Sequence, residues 1–435
     1  MRWLAAAVCV LALAATGAAG EPAAHLRVGT TGDYSPFSIA RAGEGAEPEG
    51  FDVAVARAYA EERGLALEFV PFRWTDLVAA LGTGRFDVAM SGVTVRPERS
   101  AAGRFTVPVV ESGAVLLVRQ PERWSEPEDV DRPGIRIGVN AGGHLERVAG
   151  AHFSRAVLVS IPDNRAVRQA LLDKNLHVAV TDTLEVAAWQ RGTDGLAVIG
   201  PFTRDRKAYL VRPDRPGLAS NLDTWLLARE RDGTLAALRR EHLPVAAAAP
   251  VATPLGSLLA AIDERLSLMP LVGVAKRRSG LPLEVPEREF LVLDVAIAGV
   301  HAAAKRARID PPPDAVVRAL FQAQIEAGKE VQWTAVQDLE YAPPEPLPDL
   351  DSGLRPGLLR IGDRIADLLL VLPEGLEKER VRAAARDALR TPYLSERSSL
   401  ALADAIVAVS HASRGAPETG KGLRRVDLTR LRRPQ

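Results

Sequence analysis

The chain has 435 residues, enough for two or three domains that each bury a core. Apolar residues make up 47% and charged residues 25%, and 55 basic side chains balance 55 acidic ones. A formal charge of zero argues against non-specific nucleic-acid binding, which needs an excess of Lys and Arg to meet phosphates. Residues 1–20 read as an export signal: Arg2, then the apolar run from Leu4 to Ala15, then the small residues Ala18-Ala19-Gly20 before a cleavage point. The run is too short and Ala-rich to span a bilayer, and no later segment is apolar enough to do so. The alternative is a buried N-terminal element. Cys9, the only cysteine, lies in this segment, and the Ala-Ala-Val before it fits lipid attachment poorly. The expected destination is the periplasm, with a mature chain that carries no thiol.

Residues 26–243 alternate short apolar runs with helical patterns. Strands are expected at 26–30, 67–70 and 86–90, with helices at 52–62 and 74–81. A second block repeats this with strands at 135–139, 156–159 and 177–180, and helices from His144 and over 164–172. That rhythm predicts parallel strands joined by crossover helices, hence two α/β lobes, with a return segment near Lys207–Pro213. Residues 244–254, rich in Pro and Ala, read as a linker. From Leu255 the period becomes 3.6, with Leu255, Leu259, Ile262, Leu266 and Met269 on one face, and residues 255–413 form an all-α domain. Its helices are expected near 290–308, 313–337, 359–371 and 377–412, with a proline-rich connection at 343–356. The tail 414–435 has seven basic and two acidic residues and is expected to be disordered.

Arg265 and Lys276 are eleven residues apart, three helical turns, and so share a face, with Pro270 expected to kink the helix between them or relax its hydrogen-bond ladder locally. Arg288 follows a loop with Pro282 and Pro286; Gln332 and Arg364 fall in the third and fourth helices. Singly, each reads equally as a solvated charge or a stem lying along the surface. Together they sit in a longer pattern: Ile262-Asp263-Glu264-Arg265-Leu266, Val274-Ala275-Lys276, Leu281-Pro282-Leu283-Glu284, Arg288-Glu289, and Gln324-Ile325-Glu326-Ala327 followed by Lys329 and Gln332. This set resembles the secreted class of all-helical chorismate mutases. The resemblance implies that Arg265 and Arg364 grip the two carboxylates of chorismate. Arg288 would complete the pocket, and Lys276 and Gln332 would donate to the ether oxygen as its bond breaks. An amide at 332, where some relatives carry Glu, implies little loss of activity from pH 6 to 9. Lys329 is expected beside the pocket, and Gly328 stands where relatives often carry Ser or Thr.

In the first half, Ser91-Gly92-Val93-Thr94 follows a strand, with Arg99 just beyond. Asn140-Ala141-Gly142-Gly143 follows another strand and opens a helix, so its backbone N–H groups would face a carboxylate. Thr181-Asp182 follows a third strand, and Glu185 stands on the next helical turn. There is no dinucleotide or phosphate-loop pattern, and the seven histidines form no ligand-spaced cluster, so no metal or other cofactor is implied. Residues 26–243 resemble the periplasmic solute-binding fold for polar amino acids, and within it the cyclohexadienyl dehydratases, on Val28-Gly29-Thr30-Thr31-Gly32-Asp33-Tyr34, Gly50-Phe51-Asp52-Val53, Arg85-Phe86-Asp87 and Lys207-Ala208-Tyr209-Leu210. The resemblance implies that prephenate or arogenate loses water and carbon dioxide in the cleft. Arg99 would hold a carboxylate, Ser91, Thr94, Asn140, Gly142, Gly143 and Asp182 would line the site, and Glu185 would be the general acid. An ordinary helix N-terminal carboxylate is the alternative for Glu185. His144-Leu145 departs from the polar residues of the dehydratases. Three readings follow. One is a bifunctional mutase–dehydratase, one a mutase joined to a binding module, and one a transport binding protein with an inert helical appendage. Oligomeric state is left open.

Overall fold

A computed structural model describes residues 24–412 of the chain, except 42, 44–46, 122–123 and 245–248. The expected export segment (1–20), the middle of the linker and the basic tail (414–435) lie outside the described residues.

Two five-stranded sheets build the first half. In the first lobe the order is Ala66–Pro71, His25–Thr30, Val88–Ala89, Leu210–Val211, Arg104–Phe105; in the second it is Val157–Ile161, Arg136–Asn140, Val178–Asp182, Ala114–Arg119, Leu196–Ile199. The alternating rhythm predicts parallel sheets, but both are mixed. Leu210–Val211 is antiparallel to its two neighbours, and so is Ala114–Arg119. Each is the strand by which the chain enters a lobe from the other lobe, so it needs no crossover helix. The connecting strands, Val110–Ser112 and Asp205–Lys207, pair antiparallel. Ala114–Arg119 is buried on both faces through Val118, so it shows no alternation in the sequence.

The second half is helical: Pro254–Ser267, Met269–Arg278, Pro286–Ala307, Asp314–Gln337, Arg355–Leu370, Lys378–Ala388 and Glu396–His411. Thr253, Glu377 and Ser395 cap three of these with side-chain oxygens. Prolines start helices here, and the interruption expected at Pro270 falls at Leu268, where one helix ends and the next begins. Pro270 lies in the first turn of Met269–Arg278 and Pro356 in that of Arg355–Leu370, where a missing N–H costs nothing. The helix expected over 377–412 is two helices, interrupted by a segment that contains Pro392.

The helix Pro254–Ser267 departs most from its expected one-sided pattern. Every residue from Ser257 to Leu266 is buried, because the helix is wedged between other helices and the α/β unit. Asp263, Glu264 and Arg265 therefore radiate about 100° apart into three different surroundings. Asp263 pairs with Arg206 (2.6 Å) and accepts from the N–H groups of Arg390 (2.7 Å) and Thr391 (2.9 Å). Glu264 pairs with Arg364, while Arg265 faces a cavity.

One apolar core runs from the first lobe through Trp225 and Leu235 into the helices. Buried charges stitch the same boundary. Arg364 donates to the carbonyls of Phe105 (2.6 Å) and Thr106 (3.1 Å), and Arg104 pairs with Asp223 (3.2 Å) and Asp367 (3.5 Å). The end of the expected linker is pinned as well: the Ala252 N–H donates to Glu230 (3.1 Å), the partner of buried Arg239. Among the described residues no helix is long and apolar enough to cross a membrane.

Candidate functional sites

The helical half holds a cavity of about 190 Å³. Arg265, Lys276, Arg288 and Gln332 all line it, brought together from four helices. Arg265 is 7% exposed, and among the described residues its guanidinium meets no carboxylate or carbonyl. Burial alone holds its pKa down to about 10, so it stays charged and seeks an anion. Lys276 donates to the carbonyl of Leu283 (2.6 Å). Burial, with repulsion from Arg288 and Arg355, pushes its pKa down to about 8. Any pH tolerance that the Gln332 amide confers would therefore be bounded by the lysine. The Gln332 amide donates to the Gly328 carbonyl (3.2 Å), and its Oε1 is buried without a partner. A Cβ on Gly328 would lie 3.1 Å from the Met269 sulfur, so Met269 fills the space a side chain there would need. Lys329 lines the cavity with its charge spent on Glu326 (3.0 Å) and Glu289 (3.4 Å).

Arg364 does not line this cavity. Its guanidinium is consumed by Glu264 and the carbonyls of Phe105 and Thr106, on the side facing the α/β unit. Arg355 lines the cavity instead, paired with Asp351. Nine residues separate the two arginines, which is half a turn out of phase.

The cleft between the α/β lobes is nearly closed and leaves about 30 Å³. Thr94, Arg99, Asn140 and Gly143 line it, as expected for a binding site. Arg99 lies over the Trp74 ring (5.5 Å) and donates to the Thr94 carbonyl (3.0 Å), and among the described residues it has no carboxylate partner. Burial and the nearby Arg96 depress its pKa well below the usual guanidinium value.

Four expected residues stand off the cavity surface. Ser91 is buried and accepts from the Thr31 N–H (3.1 Å), with the Thr31 hydroxyl 2.9 Å away. Gly142 gives its N–H to Glu146 (2.7 Å), and the Gly143 N–H bonds the Asn140 carbonyl (3.3 Å), so this turn offers no row of donors to an anion. Asp182 pairs with Lys207 (2.9 Å) and accepts from the Tyr34 hydroxyl. Glu185 accepts from Asn164 (2.7 Å), which does line the cleft, and from the Thr181 hydroxyl (2.7 Å). Burial and the neighbouring Asp182 push its pKa up to about 8, so it carries a proton at neutral pH.

Sequence reasoning assigned no site role to Tyr34, Trp74, Asn164 and Lys207, all of which line the cleft. Lys207 is the most informative, a buried ammonium held by Tyr34 (2.8 Å) and Asp182. Its signal is a cation directly before the apolar run Ala208-Tyr209-Leu210-Val211. His144 and Leu145 also line the cleft; His144 Nε2 lies 3.0 Å from Asp205, and burial lowers the ring's pKa.

Residues 26–245 match the family described as bacterial extracellular solute-binding proteins, family 3. The chain is 36% identical over 222 residues to the cyclohexadienyl dehydratase of Pseudomonas aeruginosa, covering 50% of this chain and 81% of that protein. It is 27% identical over 215 residues to the L-cystine-binding protein TcyJ of Escherichia coli, covering 49% and 80%. A crystal structure of AncCDT-1, an ancestral amino acid-binding protein and precursor of cyclohexadienyl dehydratase, matches with 31% identity and a TM-score of 0.47, covering 51% of this chain and 96% of that one. The chain belongs to the bacterial extracellular solute-binding proteins, family 3.

Proposed function

We propose that the chain is an exported bifunctional enzyme. Its helical domain, 255–413, rearranges chorismate to prephenate, and its α/β unit, 26–243, converts prephenate to phenylpyruvate. The observation that carries the first activity is the grouping of Arg265, Lys276, Arg288, Arg355 and Gln332 around one cavity. Chorismate brings two carboxylates and an ether oxygen and rearranges in one concerted step, so the site needs cations, shape and a donor, and no nucleophile. Arg265 and Arg355 take the carboxylates, Arg355 in the role the sequence pattern implies for Arg364. Arg288 completes the pocket. Lys276 and Gln332 donate to the ether oxygen as the C–O bond breaks and the new C–C bond forms.

The second activity draws on the 36% identity to a cyclohexadienyl dehydratase and on a protonated carboxyl beside the cleft. In the reading proposed here the lobes part to admit prephenate, and Arg99 and Lys207 hold its carboxylates. Glu185 gives its proton to the departing ring hydroxyl, which leaves as water. The ring carboxylate leaves as carbon dioxide, and its electron pair aromatises the ring. Arogenate, with an amine in place of the keto group, would follow the same steps to phenylalanine.

One observation favours a second reading, a mutase joined to a module that only binds. Glu185 stands one side chain behind the cavity wall, and apolar Leu145 is part of that wall. Purified protein given chorismate separates the readings. Loss of chorismate absorbance with phenylpyruvate formed at neutral pH supports both activities. Prephenate accumulating supports the binding module, and unchanged chorismate refutes the mutase.

A further inference from the structure

We infer that Arg360, on the helical domain, is a positioning residue for Arg99 of the cleft; the inference rests on the reading of the cleft given above. Arg99 lies on a helix of six residues, Pro97–Ala102. So short a helix has little bonding of its own, and its last carbonyls need donors from elsewhere. The Gly103 N–H closes on the Arg99 carbonyl. The carbonyls that follow are met by one guanidinium: Arg360 donates to Ser100 (3.2 Å), Ala101 (2.8 Å) and Gly103 (3.2 Å). A cation at this end also meets the negative pole of the helix.

The approach that permits this is built in. Ser100 and Ala101 are buried, and a Cβ added to Gly357 would lie 2.9 Å from the Ser100 carbonyl. Glycine at 357 lets the helix Arg355–Leu370 cross directly over the end of the Arg99 helix. Arg360 lines neither cavity. It acts on the cleft only through the backbone of residues 100–103, while the Arg99 side chain is held from the other side by Thr94 and Trp74. The cleft's carboxylate grip is thus completed by the half of the chain that carries the other cavity.

The test uses the full chain with Arg360→Gln and Arg360→Lys. Loss of the fork should raise KM for prephenate about tenfold or more in Arg360→Gln, with kcat changed by less than about threefold and chorismate turnover intact. Lysine, which restores the charge and part of the donor set, should bring KM back to within about threefold of wild type. Retained chorismate turnover and near-UV circular dichroism certify the fold. A wild-type KM in Arg360→Gln overturns the inference, and so does a KM increase matched by an equal loss of chorismate turnover, because Arg360 would then only hold the halves together. Should the wild type bind prephenate without converting it, the dehydratase reading fails alone; the same comparison is then made on Kd by calorimetry, where an unchanged Kd overturns the inference. A wild type that neither binds nor converts prephenate overturns both.

Discussion

If the helical domain is the mutase proposed above, Lys276 should set a pH limit on it that an amide at position 332 cannot lift. The ammonium is buried beside Arg288 and Arg355, with Glu284 and Glu289 relieving part of the cost, and it loses its proton near pH 8 in place of the ordinary 10.5. In the free enzyme about nine-tenths of the lysine is charged at pH 7 and about one-tenth at pH 9. Because kcat/KM reports the free enzyme, it should fall about tenfold between those values. Bound chorismate adds two negative charges to the cavity, which favour the charged lysine, so kcat should stay flat to higher pH. Arg355→Gln removes one repulsive neighbour, and besides weakening binding it should move the alkaline limb upward. Initial rates from chorismate absorbance between pH 6 and 10.5 measure all three. A limb near 10.5 in wild type, or one that appears equally in kcat, would refute the assignment of Lys276.

The two arginines should part company. Arg265→Met deletes a buried charge that burial disfavours by roughly 3 kcal/mol. It should raise the urea midpoint while cutting chorismate kcat/KM about a hundredfold or more; a lower midpoint would count against an unpartnered Arg265. Arg364→Met leaves Glu264 buried alone and should cost about 3–5 kcal/mol; full stability in this variant would contradict the interface described. Glu185 has a raised folded pKa, so the stability it contributes is complete below its unfolded value of 4.5 and is lost as pH rises through about 8. Against Glu185→Gln, wild type should lose roughly 1.4 kcal/mol per pH unit across that window, with buried Asp52, raised to about 7, adding to the trend in both proteins. A gap in urea midpoints that is the same at pH 5 and pH 8.5 would rule this out, and a full-rate Glu185→Gln on prephenate would remove it as the acid. Gln332→Glu should confine mutase activity to acid pH, because a carboxylate cannot donate; wild-type turnover by this variant at pH 8 would exclude Gln332 as a donor.

Spacing made Arg265 and Lys276 legible, since three turns return a helix to the same side and the break at Leu268 does not undo that phase. Arg364, assigned through the resemblance, stands off the cavity because both sides of the helix Arg355–Leu370 are buried, one toward the cavity and one toward the α/β unit. A rule that seeks the buried face cannot choose between two. The two lobes were legible from alternating patterns, but the entering strand Ala114–Arg119, apolar on both faces, carries no period. The glycine turn at 142–143 reads as an anion cradle until Glu146, one turn on, is seen to take its N–H. Lys207 escaped assignment because its partners, Tyr34 and Asp182, are distant in sequence.

The seam between the halves also fixes an order in time. Phe105 and Gly103 are joined to Arg364 and Arg360 by bonds that span 259 and 257 residues. A chain made from its N-terminus presents the first lobe long before those arginines exist. Until they arrive, the carbonyls of residues 100–106 that they meet lack these buried donors, and the helix bearing Arg99 lacks its end. The first lobe therefore waits, incomplete and open to wrong partners, for the last third of its own chain.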